Sequence, residues 1–295
     1  MIVTCPQCKQ ETRLYFRTKD FNRKITRDIF HYYRCSSCNL IFLSPIPQDL
    51  GKYYPNNYYP IPSSIDDLAK TAEYERYKID IVRQFASGGR LLEIGPAYGS
   101  FLYLAKQSGF DAEAIEMDEN CCTFIREIIG AKVIQSSDPS EALKSVENYN
   151  AIALWHVIEH LPDPWKTLEA ISRKLHPGGI LVIAAPNPEA FQFRMLGRFW
   201  PHVDAPRHLE LIPQSLLTKK MQSLGLKTVW STTTDAGTLG WNTFGWEYFF
   251  GNFTNLRYVK TGLALMGRIL SILLGPIERM KGLGSAYTVV YQREK

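Results

Sequence analysis

The chain has 295 residues, of which 45% are hydrophobic and 21% charged, and carries a formal net charge of +5. That composition suits a globular protein with one large domain and a small one, and a mild positive balance without a long Lys/Arg run gives no reason to expect nucleic acid as a partner. No stretch reaches the roughly 18 uncharged apolar residues of a membrane span, and Met1 to Pro6 lacks the basic-then-apolar pattern of a signal peptide, so the six cysteines read as metal ligands or free thiols of a reducing, cytoplasmic compartment.

In chain order the first feature is a pair of C-x-x-C knuckles, Cys5/Cys8 and Cys35/Cys38, separated by 26 residues. Four thiolates of this spacing can close a tetrahedral site around one structural Zn2+, which leaves the metal no open position for catalysis. Alternating stretches at Thr12 to Phe16 and Ile29 to Arg34 predict strands between the knuckles. A module spanning 1–47 has too small a core to fold comfortably alone, so a zinc-ribbon-like metal site makes physical sense. The run Tyr53 to Pro60, within a connection spanning 48–67, is too proline-rich for regular structure. It is a surface strap or a tyrosine lid over a substrate.

The domain expected over 68–295 opens with helical spacing of Leu68, Tyr74, Tyr77, Ile81 and Phe85 and a stop at Gly88-Gly89. Strands are then expected at Arg90 to Ile94, Ala112 to Glu116, Lys132 to Ile134, Ala151 to Trp155, Gly179 to Ala185, Lys227 to Thr232 and Ala286 to Tyr291. Helices are expected at Ser100 to Ser108, Glu119 to Ile129, Pro139 to Val146, Pro164 to Leu175 and Pro213 to Leu224. Such alternation means an α/β fold with a Rossmann-like, seven-stranded, mostly parallel sheet and helices on both faces. Asp118, Asp138 and Asp163 each stand where a helix needs an N-cap.

The first strand runs into a glycine turn, Glu93-Ile94-Gly95-Pro96-Ala97-Tyr98-Gly99-Ser100-Phe101. A strand end beside a helix amino terminus is where parallel sheets bind nucleotide-like ligands. Read as the dinucleotide fingerprint G-x-G-x-x-G, the third glycine would fall on Ser100, which argues against a nicotinamide cofactor. Read as E-x-G-x-x-x-G, the stretch resembles motif I of the class I S-adenosylmethionine-dependent methyltransferases, with Ala97 where that family usually has glycine. The resemblance covers Leu68 onward. It implies S-adenosylmethionine as cofactor, contacted by Glu93, Gly95, Ala97, Tyr98, Gly99 and Phe101. Glu116, about 20 residues beyond the turn, would take the ribose hydroxyls, Met117 the adenine face and Ser137 the adenine amino group. Trp155 and His156 would complete the site in Leu154 to Leu161, which resembles the family's post-strand motif. The turn His176-Pro177-Gly178-Gly179 is similar to another of its signatures.

Methyl transfer needs an acceptor held in line with the sulfonium methyl, and a hydroxyl or carbon acceptor also needs a base. Three histidines qualify. His156 and His160 flank Glu159, at a spacing that could also hold a divalent cation. His208 lies in Trp200 to Leu209, whose W…D-x-P-x-H pattern resembles a subgroup of these enzymes with an amino-terminal zinc module. His208 is the first choice for the base, and the alternative there is a structural pairing of Asp204 with Arg207. Between the last two strands, 235–285 forms an insertion, with an aromatic and glycine-rich run followed by an apolar helix from Gly262 that Pro276 ends or kinks. It is either packed over the substrate mouth or laid on a membrane or lipid-linked substrate through 240–281. The expected protein is therefore a methyltransferase acting on a small-molecule, sugar/glycan or lipid-linked acceptor, cytoplasmic or peripheral at the inner membrane face. The alternative is a catalytically silent cofactor-binding protein that docks a partner.

Overall fold

The structure, a computed structural model, describes residues 3–55, 58–254 and 256–295; Met1 and Ile2, Asn56 and Asn57 of the tyrosine run, and Asn255 of the insertion lie outside the described residues. Eleven strands form two sheets. The small antiparallel sheet contains β1 (Thr12–Thr18), β2 (Phe30–Cys35) and β3 (Ile41–Leu43). The large sheet begins with β4 (Gly89–Ile94), β5 (Phe110–Glu116), β6 (Lys132–Gln135), β7 (Tyr149–Trp155) and β8 (Leu175–Pro186). The two-residue β9 (Glu210–Leu211) returns to the small sheet, and β10 (Leu226–Thr232) and β11 (Ala286–Arg293) complete the large one.

The large sheet has the order β10-β11-β8-β7-β4-β5-β6. Strands β4 to β8 run parallel, and β11 enters antiparallel between β8 and β10. This is the expected α/β sheet of seven strands. Its central strands are apolar on both faces because helices cover both: Leu91, Leu92 and Ile94 of β4 and Ala151 to Leu154 of β7 are buried. The chain winds one way from β4 to β6 and the other from β7 to β8. The reversal lies between β4 and β7, and a crevice opens there at the carboxyl ends of the strands.

Local structure follows side-chain chemistry at the helix starts. Asp118 accepts from the Cys121 N–H at 2.8 Å, Asp138 from Ser140 N–H at 2.9 Å and Asp163 from Lys166 N–H at 2.9 Å, so all three act as caps. Elsewhere the expected elements need correction. The first helix of the large domain breaks into Ile65–Ala72 and Arg76–Arg83 around a tight turn. The Glu119 helix closes with a widened turn over Ile125–Ile129.

The largest correction concerns the insertion. The aromatic and glycine-rich run is itself a helix, Ala236–Gly251, and a second helix, Arg257–Glu278, folds back along it. Pro276 neither ends nor interrupts the second helix, which continues to Glu278. The first helix packs on the sheet, where Asn242 Oδ1 accepts from Ser285 N–H at 2.7 Å. The second packs on the first instead of on the sheet, joined by Thr243 Oγ1 and Ser271 Oγ at 3.2 Å and by Trp246 Nε1 donating to Glu278 at 2.9 Å. Propensity misleads here because tertiary packing outweighs the cost of glycine within a helix: Gly237 makes room for Tyr77, Gly245 for Gln192, and Gly267 of the second helix for the backbone of the first.

The small sheet has no core of its own. β3 pairs with β9, and Phe30, Tyr32, Ile41 and Leu43 share one buried cluster with Phe193, Trp200, Val203 and Leu209. Cys5, Cys35, Leu40 and Phe42 join the core beneath the large sheet.

The hairpin contact gives a test. A Cβ at Gly267 would meet the Trp246 carbonyl oxygen at 2.5 Å, whereas nothing lies within 4 Å of one at Gly262. Gly267→Val is expected to cost about 1–3 kcal/mol by overpacking, and Gly262→Ala to gain about 0.5–1 kcal/mol. Urea unfolding midpoints of the two variants check this, and a neutral Gly267→Val would contradict the close approach.

Candidate functional site

The glycine turn after β4 is held by backbone geometry that only certain residues accept. Gly95 and Gly99 have φ of +69° and +88°, and a Cβ on Gly95 would meet Val157 Cγ2 at 2.6 Å. Ala97 occupies φ +52°. A residue with a Cβ is held there in a conformation that glycine adopts without strain, which is the physical content of its departure from the family pattern. Gly99 is the N-cap of the helix Ser100–Gln107, so free N–H groups of that helix face the crevice.

Glu116, at the end of β5, ties the turn down. Its carboxylate accepts from Ala97 N–H at 3.0 Å, Met117 N–H at 2.7 Å and Asp118 N–H at 2.9 Å. Burial raises its pKa against these bonds. Two oxygens offer about four acceptor positions, so one stays open for a ligand hydroxyl. Met117 is 57% exposed beside it, and Ser137 is exposed after β6. Glu93 is buried, with one oxygen unpartnered, and desolvation raises its pKa to about 8. Tyr98 is half-buried, whereas Phe101 is buried under the turn, its ring 5.4 Å from that of Trp155. The Trp155 indole lies between Phe101 and Tyr77.

Across the crevice, β7 ends in His156 at φ +57°, a conformation that costs energy for any residue with a Cβ. Glu159 follows, 1% exposed, and neither carboxylate oxygen has a hydrogen-bond partner. His156 Nδ1 lies 3.6 Å and His208 Nε2 4.0 Å from its Oε1. The rings of His160 and His208 meet edge to face at 4.6 Å. Burial would raise the Glu159 pKa, but His156, His208 and His160 outweigh it and bring it down to about 2. Desolvation, then the charge of His208, lowers His160 to about 4.

The partner carbonyls fix the tautomers, since a carbonyl can only accept. His208 Nδ1 donates to His202 O at 2.8 Å, and His160 Nδ1 to Arg207 O at 3.0 Å. Each neutral ring then turns a lone pair on Nε2. Glu159, His160 and His208 place one donor atom each within 4.8 Å of the others.

The segment carrying His208 is fastened to the small sheet. Arg207, 1% exposed, donates to Asp204 at 2.7 Å and 2.8 Å and to Asp20 at 2.8 Å. Asp20 also accepts from Arg23 and Ile25 N–H, ordering its own loop. Tyr32 of β2 donates to His208 O at 2.6 Å. The Asp204–Arg207 pairing expected as an alternative therefore exists, and it holds His208 in place. Sequence reasoning missed Asp20, Tyr32, Tyr54 and Trp241. Tyr54 Oη lies 3.0 Å from His160 Nδ1, and the Trp241 ring sits tilted against that of His156 at 4.9 Å while its carbonyl accepts from His202 Nε2 at 3.1 Å. Only the aromatic density of the tyrosine run and the insertion hinted at two of them.

The four knuckle cysteines lie together, with Sγ–Sγ distances of 3.4 Å for Cys8–Cys35, 3.6 Å for Cys5–Cys38 and 3.8 Å for Cys8–Cys38. A tetrahedron with Zn–S of about 2.3 Å has edges of about 3.8 Å, so the donor set fits that metal. The knuckles share one backbone plan. Lys9 N–H returns to Cys5 O and Asn39 N–H to Cys35 O, each residue at φ +61°.

Residues 70–231 match the family described as "Methyltransferase domain". The chain belongs to that family. Among curated relatives, "Methyltransferase GfsG" of Streptomyces halstedii is 26% identical over 140 residues, 43% of this chain and 48% of that protein. "Ubiquinone biosynthesis O-methyltransferase" of Bordetella avium is 27% identical over 117 residues, 37% and 48% of the two chains. The alignments thus span about half the length of these relatives. A solved SAM-dependent methyltransferase from Archaeoglobus fulgidus shares the fold with a TM-score of 0.52 at 18% identity, over 76% of this chain and 94% of its own.

Two tests follow. Arg207→Met leaves Asp20 and Asp204 facing each other in a buried site and is expected to cost about 3–5 kcal/mol, read as a drop in the unfolding midpoint. The second is pH dependence. Burial holds His160 at about 4 and His202 at about 3, below the unfolded value of 6.5. At these two sites the unfolded chain binds more protons below pH 6.5, so they remove stability as pH drops from 6.5 towards 4, while Glu93 and Glu210, raised by burial to about 8, act in the opposite sense. The urea midpoint of His202→Gln relative to the parent should therefore rise as pH falls across that window; a difference that stays constant would refute the buried neutral histidine.

Proposed function

We propose that the protein is an S-adenosylmethionine-dependent methyltransferase acting on a hydroxyl of a small-molecule acceptor, with His208 as general base. The observation that carries the base is Glu159, a buried carboxylate without a hydrogen-bond donor, beside the Nε2 lone pair of His208. Such a carboxylate favours a proton on that imidazole. The acceptor hydroxyl would lose its proton to His208 Nε2 as its oxygen attacks the methyl carbon and the carbon–sulfur bond breaks. His156, nearer the glycine turn along β7, is the alternative base.

The cofactor would lie over the turn Gly95 to Gly99, with Glu116 on its ribose and Met117 and Ser137 along the adenine. S-adenosylmethionine brings the methyl group on a sulfonium leaving group, and the chain supplies position and a proton acceptor. Tyr54 and Trp241 offer aromatic walls suited to a sugar face or a phenolic ring. The relatives' names support a small acceptor, and the four cysteines would hold a structural zinc.

A second reading is favoured by the same orphaned Glu159. Its oxygens and the Nε2 atoms of His160 and His208 would suit a divalent cation, each imidazole being oriented by a carbonyl on its other nitrogen. Metal content above one equivalent per chain, lost in Glu159→Gln, would favour it.

Calorimetry with S-adenosylhomocysteine, beside NAD, tests the cofactor. Micromolar binding that weakens at least about tenfold in Glu116→Ala (about 1.4 kcal/mol) is expected. Binding of NAD alone would overturn the assignment. With sugars and phenols as trial acceptors, His208→Gln should lower kcat by about 10²–10⁴ and leave S-adenosylhomocysteine affinity intact. Unchanged turnover would pass the role to His156. Chelation of zinc should lower kcat together with the melting temperature, because the small sheet holds the His208 segment.

A further inference from the structure

The hairpin helix Arg257–Glu278 turns an apolar face outward. Tyr258, Leu265, Ile269, Ile272 and Leu273 are exposed, Leu273 at 69%, and so are Phe253, Leu256 and Met280 at the two ends. Tyr258, Leu265, Ile269, Ile272 and Pro276 follow at spacings of seven, four, three and four residues, so they form one stripe along a helix about 33 Å long. Exposed apolar stripes of this length mark an interaction surface.

The charges say what covers it. Arg257, Arg268 and Arg279 recur every eleven residues, which is three turns to within about 20°, so all three line one edge of the stripe. Lys260 and Lys281 add positive charge nearby, and both are exposed. The helix has a single acid, Glu278, and it is 1% exposed, accepting from Trp246 Nε1 at 2.9 Å and Gln192 Nε2 at 2.8 Å. Among the described residues, only Arg268 of these cations has an acidic neighbour from the first helix, Glu247 at 3.7 Å. A second copy of this face would oppose arginine to arginine, whereas an anionic surface complements it.

Among the described residues this is the one helix long and apolar enough to cross a membrane, but its inner face forbids that. Gly267, Ser271 and Glu278 are buried against the neighbouring helix, and a Cβ at Gly267 would already collide. The helix is pinned lengthwise to the protein with its outer face free. Between the hairpin helices a cleft of about 500 Å³ opens past Leu239 and Ile272, with Arg279 at its rim.

We propose that the hairpin seats the protein on an anionic lipid bilayer, the stripe entering the headgroup boundary and the arginine edge facing lipid phosphates. Apolar burial and cationic attraction act together in such in-plane helices.

Co-sedimentation of the full chain with vesicles of phosphatidylcholine, alone or mixed with phosphatidylglycerol, tests this. The chain is expected to bind the mixed vesicles, more weakly at high salt and on phosphatidylcholine alone. Ile269→Glu with Ile272→Glu should weaken binding at least about tenfold, through lost apolar burial. Arg257→Gln, Arg268→Gln and Arg279→Gln together should weaken binding to the mixed vesicles by at least about tenfold, at about 1 kcal/mol per charge. Both variant sets change exposed positions, so their melting temperatures should match the parent. No association with either vesicle would overturn the proposal. So would a solution dimer that the isoleucine variant dissociates and that does not bind vesicles, which would make a second copy the occupant. Vesicle binding is read without turnover, so its outcome is separable from that of the proposed reaction.

Discussion

The arrangement around His208 depends on one buried cation. Arg207 sits between Asp204, on its own turn, and Asp20, on the loop after β1. Removing a guanidinium and two carboxylates from water is expensive, and the geometry has to repay it through mutual bonds. The burial of Arg207 therefore forbids the two loops from separating without stranding charge in an apolar setting. Asn22 reinforces the joint, donating to Asp204 and to Pro201 O. Thr18 donates to Arg198 O and Tyr32 to His208 O. A cysteine-bearing sheet that looks like an appendage in one dimension is thus the mould for a loop of the large domain. This is also why the small sheet needs no core of its own: it shares one with Trp200, Val203 and Leu209.

The other half of the site rests on topology. Because the strand order reverses between β4 and β7, the glycine turn and His156 emerge side by side at one edge of the sheet. Glu116 then connects the β5 end to the turn through Ala97 N–H. The proposed cofactor side is set by backbone donors and positive φ values, the proposed acceptor side by imidazoles and a carboxylate. The tyrosine strap spans both. Tyr54 reaches His160, while the Tyr59 hydroxyl is pushed to a higher pKa by burial and then by the negative charge of Glu116.

What the sequence displayed was whatever is local or periodic. The apolar runs of β4, β7 and β8 and the three aspartate caps each carry their physics within a dozen residues, and the two C-x-x-C knuckles announce each other by repeating one pattern. What it concealed was long-range or aperiodic. β9 has two residues, too short for any alternation, yet it closes the small sheet. Asp20 and Arg207 stand 187 positions apart, and neither carries a local sign of the other. The helix Ala236–Gly251 was hidden for a different reason. Its glycines argue against a helix by propensity, and only distant neighbours explain them: a Cβ would run into Tyr77 at Gly237 and into Gln192 at Gly245. The candidate base was visible as a histidine in a motif; its carboxylate partner was visible too, but as part of a different trio.

The group Glu159, His160 and His208 suggests how the proposed chemistry could be driven. Glu159 is buried and without a hydrogen-bond donor, its pKa brought down to about 2, while the Nδ1 bonds of His160 and His208 to backbone carbonyls leave Nε2 of each ring without a backbone partner. A buried acceptor left in this state costs free energy. If His208 took a proton from an acceptor, as proposed, Nε2 would become a donor 4.0 Å from Glu159 Oε1. The interaction missing in the ground state would then form as the imidazolium develops. Binding that strengthens only along the reaction coordinate is what lowers a barrier. In this protein the strengthening would come from charge already fixed in place, held by a loop that Arg207 cannot release without exposing its own unpaired partners.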